Sequence, residues 1–144
     1  MPKPDPALLD AARYPFRAEV ATRFADLDLN QHINNVAMVE LLETGRVLFH
    51  RASGFMESLG DGLGAMVASL AVEYLGQGYF PDPVEMHAGA LKIGNRSYTL
   101  AHLLTQRGRV VAYAQGVMVC VRDGAPAPIP EAFATSVAQW MVRS

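Results

Sequence analysis

The stretch NVAMVELLETGRVLFHRA, residues 35–52, decides the fold of this chain. Its apolar residues recur every three or four positions, which is the spacing of one face of a helix. They form one broad stripe: Met38, Leu41, Leu42, Gly45, Leu48, Phe49 and Ala52. Val36, Val39 and Val47 extend the apolar surface around the side. Because this helix is apolar over most of its circumference, we expect other elements to cover it on several sides.

Strand-like segments lie on both sides of the predicted helix. Before it, polar and less polar residues alternate over residues 14–24, which favours a strand. After it, a segment with four glycines (54–64) is typical of a loop. Four strand-like runs follow, separated by turn signals, at residues 65–75, 84–93, 97–106 and 110–122. The last two breaks are short enough for antiparallel hairpins.

This order of elements predicts an α+β fold in which a curved antiparallel sheet of about five strands wraps around one long hydrophobic helix. We expect one domain over residues 1–144, with a core at 12–122, a connector rich in proline and glycine at 123–130, and a short C-terminal helix at 131–144. Such a sheet has open edges, which a second copy of the chain can pair with. The prediction is therefore a dimer or a dimer of dimers.

The composition excludes several classes of protein. With 12 basic and 14 acidic residues, the 144-residue chain has a net charge of −2, so we expect no nucleic-acid or membrane partner. The single Cys120 excludes an internal disulfide and a cysteine-based zinc site. No signal peptide or membrane-spanning run is apparent, which favours a cytoplasmic location. We expect no metal and no cofactor.

The densest polar cluster, DLDLNQHINN (26–35), stands directly before the helix. It supplies two carboxylates, an imidazole and four carboxamides, and therefore a general base and several hydrogen-bond donors. The free N–H groups at a helix start suit a developing oxyanion. Asp and Asn before a helix are also ordinary caps, and a histidine can simply be a polar residue in a turn. One cap needs one residue, however, and this segment offers seven.

The run TRFADLDLNQHINNVAMVELLETGR (22–46) resembles the signature of hotdog-fold acyl thioesterases. It is similar to the 4-hydroxybenzoyl-CoA thioesterase superfamily and to the plant thioesterases that act on acyl carrier protein. The resemblance implies a long helix inside a curved antiparallel sheet and assembly through paired sheets. It also implies that the substrate is a thioester of coenzyme A or of acyl carrier protein.

The resemblance assigns roles to individual residues. Asp28 matches the family's catalytic carboxylate, which is either the nucleophile or the base that activates water, and the Asn35 N–H matches the oxyanion donor. Asn30 and His32 would position water or substrate, with Asn34 beside them as a substrate-binding residue. The acid and cysteine of the plant enzymes fall on Gln77 and Gly78, so the plant mechanism is not transferred whole.

Glu43 is a second candidate base, because a sister branch of hotdog thioesterases carries a catalytic carboxylate on the central helix. It stands three residues before Arg46, a spacing that also predicts an ordinary ion pair along the helix.

A basic region is the candidate site for substrate phosphates. Residues 91–122 hold five cations and no acid: Lys92, Arg96, Arg107, Arg109 and Arg122. We predict substrate binding by Lys92, Arg96 and Arg107, and expect nucleotide contact first at Arg96. The alternative is a solvated strand face whose charges protect an edge.

The sequence therefore predicts a metal-independent hydrolase that releases a carboxylic acid and a free thiol from an acyl thioester. Two alternatives stay open. One is a module that binds or senses acyl thioesters without catalysis. The other is a hotdog hydratase or dehydratase acting on enoyl or hydroxyacyl thioesters.

Overall fold

The computed structural model describes residues 4–144, so the first three residues of the predicted domain lie outside the described part. Its helices and strands follow in chain order: β1 (Phe16–Val20), α1 (Asn35–Ala52), α2 (Phe55–Leu59), β2 (Leu63–Tyr74), β3 (Val84–Ile93), β4 (Ser97–Gln106), β5 (Arg109–Arg122), β6 (Ala125–Pro126) and α3 (Glu131–Ser136). No helix within these residues is long and apolar enough to cross a membrane.

The five main strands form one antiparallel sheet in the order β1-β3-β4-β5-β2, and the two-residue β6 pairs with β5. Register shifts at three places, in β2, β3 and the β4–β5 pair, mark irregularities of the kind that bend a sheet. Helix α1 packs across β1, β3 and β4. This is the architecture that the sequence predicts, and the α+β fold class is confirmed.

Helix α1 buries the predicted stripe against the sheet. Leu42 and Phe49 are almost completely inaccessible, and Met38 and Leu41 are buried beside them. Gly45 is the point of closest approach, since a Cβ at that position would overlap the side chain of Met86 on β3. The opposite side of the helix has no cover among residues 4–144, with Val36 71% exposed.

The element bounds predicted from the sequence match the structure for some elements and differ from it for others. The predicted bounds of α1, β3 and β4 are those of the structure, whereas β1 is shorter than the predicted 14–24. The segment 54–64, predicted to be a loop, contains the short helix α2 between Gly54 and Gly60. Helix α2 forms because Phe55, which is 1% exposed, packs against the rings of Tyr98 and Phe133.

The outer face of the sheet, which faces away from α1, is covered by residues before β1 and near the C-terminus. Two short 3-10 turns, Pro6–Leu9 and Ala11–Arg13, precede β1. Leu8 and Leu9 from these turns pack around a second apolar cluster made by Tyr14, Ala101, Leu103 and Tyr113. The C-terminal residues join this cover, because the Val142 N–H donates to the Ala90 carbonyl.

The topology separates two ends of the molecule. Helix α1 and strands β3 and β5 begin at one end, where β2 and β4 finish. This end carries the polar segment 26–35, the β2–β3 loop and the β4–β5 hairpin, and we call it the helix-start end. The opposite end carries α2 and the β3–β4 turn.

Two neutral histidines are buried between helix α1 and the sheet, His50 on α1 itself and His102 on β4. His50 Nε2 and the Tyr98 hydroxyl form a buried hydrogen bond. On β4, His102 Nδ1 lies 3.3 Å from the Ala114 carbonyl oxygen, and its Nε2 has no hydrogen-bond partner among the described residues. Burial, reinforced by the nearby Arg46 charge, lowers the pKa of His50 to about 3; burial is also the main cause that lowers the pKa of His102, to about 4.

The free energy of unfolding should fall as the pH decreases from about 6.5 toward 4. In the unfolded chain these histidines bind protons near pH 6.5, so over this range the unfolded state takes up protons that the folded state does not. At pH 5 the loss should be about 2 kcal/mol for each histidine. Urea denaturation at pH 7.5 and pH 5 measures it. In the His102→Leu variant the loss should be smaller; equal losses in variant and parent would contradict the assignment.

Candidate active site

The polar segment before α1 folds into a tight hairpin. The Asn34 N–H donates to the Asp26 carbonyl (2.9 Å), the Asp28 N–H donates to the His32 carbonyl (2.8 Å), and Leu27 bridges Ile33. Gln31 lies in the turn with a positive φ of 64°. Because Asp28 pairs with His32 across the hairpin, the carboxylate and the imidazole start from neighbouring backbone positions.

Asp28 is exposed and only partly engaged. Its Oδ1 accepts hydrogen bonds from the backbone N–H groups of Asn30 (2.8 Å) and His32 (3.2 Å). These bonds close the turn, as expected of an aspartate in this position. Its Oδ2 has no hydrogen bond within residues 4–144. One carboxylate oxygen is therefore fixed, and the other is available to a substrate or to water.

Asp26, the first acid of the pair, is instead buried and hydrogen-bonded to Arg23. It is 2% exposed, and both of its oxygens accept bonds from Arg23: Oδ1 from the guanidinium (2.7 and 3.0 Å) and Oδ2 from the backbone N–H (2.9 Å). These bonds raise the pKa of the Arg23 guanidinium, which also reaches Glu40 at 2.9 Å. Asp26 thus anchors the hairpin to the end of β1.

The start of α1 leaves two backbone donors free. Asn34 Oδ1 accepts the Ala37 N–H (2.8 Å), so the side chain that was predicted to bind substrate caps the helix. The N–H groups of Asn35 and Val36 have no acceptor in the described chain. At a helix N-terminus such groups carry partial positive charge, and a carbonyl oxygen that becomes negative is a suitable acceptor for them.

A cavity of about 290 Å³ adjoins these free donors. It is lined by Ile33, Asn35, Met38, Tyr74, Leu75, Gly76 and Gln77. The Tyr74 hydroxyl donates to the Asn35 carbonyl (3.3 Å), which ties the end of β2 to the first turn of α1. The cavity therefore lies between the helix start and the β2–β3 loop.

The β2–β3 loop holds the hairpin in place. The Gly78 carbonyl accepts the Ile33 N–H (2.8 Å), and a Cβ at Gly78 would lie 2.8 Å from the Ile33 side chain. The buried side chain of Gln106, at the end of β4, makes three bonds to this loop: it accepts the Tyr79 N–H and donates to the carbonyls of Tyr79 and Asp82. Tyr79 in turn contacts the His32 ring edge-on, with 5.3 Å between centroids.

The predicted residues fall into two groups. Asp28, Asn30, His32, Asn34 and Asn35 come together at the helix-start end, and Arg107 reaches the same end through the β4–β5 hairpin. The remaining candidates lie elsewhere in this chain.

Glu43 is one of these. Its side chain is 67% exposed and lies 3.6 Å from Arg46, as its spacing along the helix allows. It follows Asn35 by eight residues, which places it roughly 12 Å along the helix axis from the free donors.

Lys92 and Arg96 lie at the opposite end of the sheet, in and after the end of β3. In a strand of ten residues this separation is about 30 Å. Within one chain they do not meet the helix start, so substrate binding by these two cations stays a prediction that needs a second subunit.

Four residues of this region were not among the predicted site residues: Tyr74, Gln77, Tyr79 and Gln106. Gly76, Gly78 and Pro81 marked 76–83 as a turn, but no sequence pattern relates this turn to the hairpin before α1 or to Gln106. Among residues 4–144, no group of three or more histidine, cysteine, aspartate or glutamate side chains is arranged to hold a metal ion.

Comparison with known proteins gives a consistent result. Residues 22–139 match the model of the thioesterase-like superfamily. The fold is similar to that of a Pseudomonas aeruginosa protein, with a TM-score of 0.82 and 24% identity over 92% of this chain and 95% of that one. A Thermus thermophilus thioesterase, solved as a complex with coenzyme A and zinc, is 29% identical, with a TM-score of 0.77 over 91% of this chain and 97% of that one.

A predicted thioesterase from Bacillus stearothermophilus is 25% identical, with a TM-score of 0.79 over 90% of this chain and 98% of that one. No curated protein sequence matches the chain.

The Gln106→Leu substitution should lower the free energy of unfolding by about 2–3 kcal/mol, because it leaves an N–H and two carbonyl groups without their partner. Urea denaturation measures the change. The matched control is Gln139→Leu, at an exposed position near the C-terminus, which should change the stability by less than about 0.5 kcal/mol. Equal effects of the two substitutions would show that Gln106 does not hold the loop.

Proposed function

The chain belongs to the thioesterase-like superfamily and has the hotdog fold, and we propose that it hydrolyses acyl-coenzyme A thioesters to a carboxylic acid and free coenzyme A. The observation that carries the proposal is the junction of hairpin and helix. There an exposed carboxylate, Asp28, stands just ahead of two backbone donors that have no acceptor in the described chain. A cofactor is not part of the proposed mechanism.

The proposed reaction places the thioester carbonyl over the start of α1. The Asn35 N–H would bind the carbonyl oxygen and stabilise the negative charge that develops there. Asp28 Oδ2 would act in one of two ways. It would attack the carbonyl carbon itself, or it would take a proton from a water molecule that attacks. Collapse of the tetrahedral intermediate breaks the carbon–sulfur bond, and the departing thiolate takes up a proton. If water attacked, this step releases the carboxylic acid directly, and the proton held by Asp28 returns to the thiolate. If Asp28 attacked, the step leaves an acyl-aspartyl anhydride, which a water molecule then hydrolyses to the carboxylic acid and the free Asp28 carboxylate.

The neighbouring polar groups would position the reactants. His32 is half-buried beside Tyr79 and lies across the hairpin from Asp28, so its imidazole would hold the attacking water or the thioester. Asn30, exposed in the turn, would contribute a carboxamide on the same side. The cavity next to Asn35 would receive the first part of the acyl group, with Met38 supplying an apolar wall. Glu43 is the reserve base and would serve the substrate of an adjoining subunit.

A second copy of the chain would complete this enzyme. Strand β2 is twelve residues long and lies at an edge of the sheet, where it has no strand partner beyond β5 among residues 4–144. Exposed apolar side chains surround the helix-start end, including Leu29, Val36, Tyr74 and Leu75. A long open edge and uncovered apolar groups are features that pairing with a second copy removes.

The Asp28→Asn variant should lose at least about a hundredfold in kcat on acyl-coenzyme A, because the amide is neither a base nor a nucleophile. Its Oδ1 still accepts the two backbone bonds that close the turn, so the hairpin should be retained. Release of the thiol is followed with a thiol-trapping dye over acetyl to palmitoyl, benzoyl and phenylacetyl thioesters. The control is Asp61→Asn, which removes the same charge from an exposed loop at the opposite end.

The same assay separates the alternatives. A kcat within a few-fold of the parent would remove Asp28 as the catalyst, and a loss in Glu43→Gln instead would assign the base to the helix. Binding of acyl-coenzyme A without thiol release by the parent would favour a sensing module. Hydration of an enoyl thioester without thiol release would favour a hydratase. Faster turnover of acyl carrier protein thioesters would change the carrier in the proposal.

In solution the protein should be at least dimeric. Light scattering after size exclusion should give a molar mass of about twice the 15.6 kDa of one chain, or about four times that for a dimer of dimers. A mass of one chain at micromolar concentration would contradict the proposed pairing of β2.

A further inference from the structure

Two arginines flank the β4–β5 hairpin at the helix-start end, and their environments differ. Arg107 Nε lies 2.5 Å from the Asp82 carboxylate, so its charge already has a partner. Arg109 is exposed and has neither an ion pair nor a side-chain hydrogen bond within the described chain. Its guanidinium carbon lies 6.0 Å from the centre of the Tyr79 ring.

Arg109 is connected to the candidate catalytic hairpin through one aromatic ring. Tyr79 lies between the two, with Arg109 over its ring and its edge toward His32. The backbone of Tyr79 is held on both its N–H and its carbonyl by the buried Gln106 amide. Tyr79 is therefore fixed between the hairpin and Arg109, and its ring attracts the guanidinium to this side of the site.

A free guanidinium in this position suits an anion on the substrate. Arginine stays charged at every working pH and binds phosphate oxygens through two parallel N–H groups. The thiol carriers of acyl thioesters, coenzyme A and acyl carrier protein, both carry the thiol on a pantetheine arm, and the anionic group that both arms bear is a phosphate ester. Of the two hairpin arginines, only Arg109 has its charge free for such a group.

We propose that Arg109 binds a phosphate group of the thiol carrier, beyond the pantetheine arm that joins this phosphate to the reacting thioester. This inference rests on the proposed function and gives the site a requirement for a phosphate-bearing thiol carrier. It stands beside the sequence-based prediction for Arg96, which lies at the opposite end of the sheet in this chain and would need a second subunit to reach the site.

The test compares two thioesters that share an acyl group, acyl-coenzyme A and the phosphate-free acyl-N-acetylcysteamine. In Arg109→Gln the ratio of KM for acyl-coenzyme A to KM for the phosphate-free thioester should rise about tenfold over the parent, the loss expected of one charge-assisted hydrogen bond. Arg109→Lys, which keeps the charge, should restore most of the ratio. Arg51→Gln, which removes an exposed charge at the far end of α1, should leave the ratio unchanged.

Each outcome bears on the proposal. A ratio within twofold of the parent in Arg109→Gln, or the same rise in Arg51→Gln, would overturn it. A rise that disappears at high salt would support it, because salt screens such a contact. Acyl-phosphopantetheine and acyl carrier protein identify the source: an effect on both assigns the phosphate of the pantetheine arm, and an effect on acyl-coenzyme A alone assigns the nucleotide. Absence of thiol release from every thioester by the parent would refute the proposed function instead.

Discussion

The burial of helix α1 is the constraint on which the rest of this structure depends. A helix with Leu42 and Phe49 on one side and Met38 on the adjoining turn is stable in water only when a surface covers it. The antiparallel sheet provides that surface, and Gly45 lets the helix approach β3 closely enough for Met86 to pack against its backbone. The same constraint applies to the face of α1 that the sheet does not cover. Val36 and Val47 are exposed, because no other element of residues 4–144 lies over them.

Fixing the helix against the sheet also fixes the position of its first turn. The hairpin before α1 is hydrogen-bonded to Arg23, just after β1, and to Gly78 in the β2–β3 loop. Its His32 ring also contacts Tyr79, whose backbone is held by Gln106 at the end of β4. The free N–H groups at the helix start are therefore held by three separate parts of the sheet. A site that must place donors against a reacting carbonyl benefits from this arrangement, since the donors need no reorganisation when the charge develops.

How much of the structure the sequence could predict depended on how far apart in the sequence the interacting residues lie. The periodicity of residues 35–52 reflects burial against a continuous surface, and turn signals in the sequence border the strand-like runs of β3 and β4, so the bounds of these elements were predicted correctly. Helix α2 was missed because it is stabilised by contacts of Phe55 with Tyr98 and Phe133, which are distant in sequence. The different environments of Arg107 and Arg109 were beyond the sequence for the same reason. Two arginines separated by one glycine look alike until Asp82 and Tyr79 are placed beside them.

The two aspartates of the hairpin show how packing separates residues that the sequence presents as a pair. Asp26 and Asp28 stand two positions apart, with apolar neighbours on either side. Both oxygens of Asp26 accept hydrogen bonds from Arg23, and the carboxylate is buried away from a substrate. One oxygen of Asp28 accepts the two backbone hydrogen bonds that close its own turn, and the other is exposed to solvent. A carboxylate that must attack or accept a proton needs both properties, a fixed orientation and a free oxygen, and of these two acids only Asp28 has them.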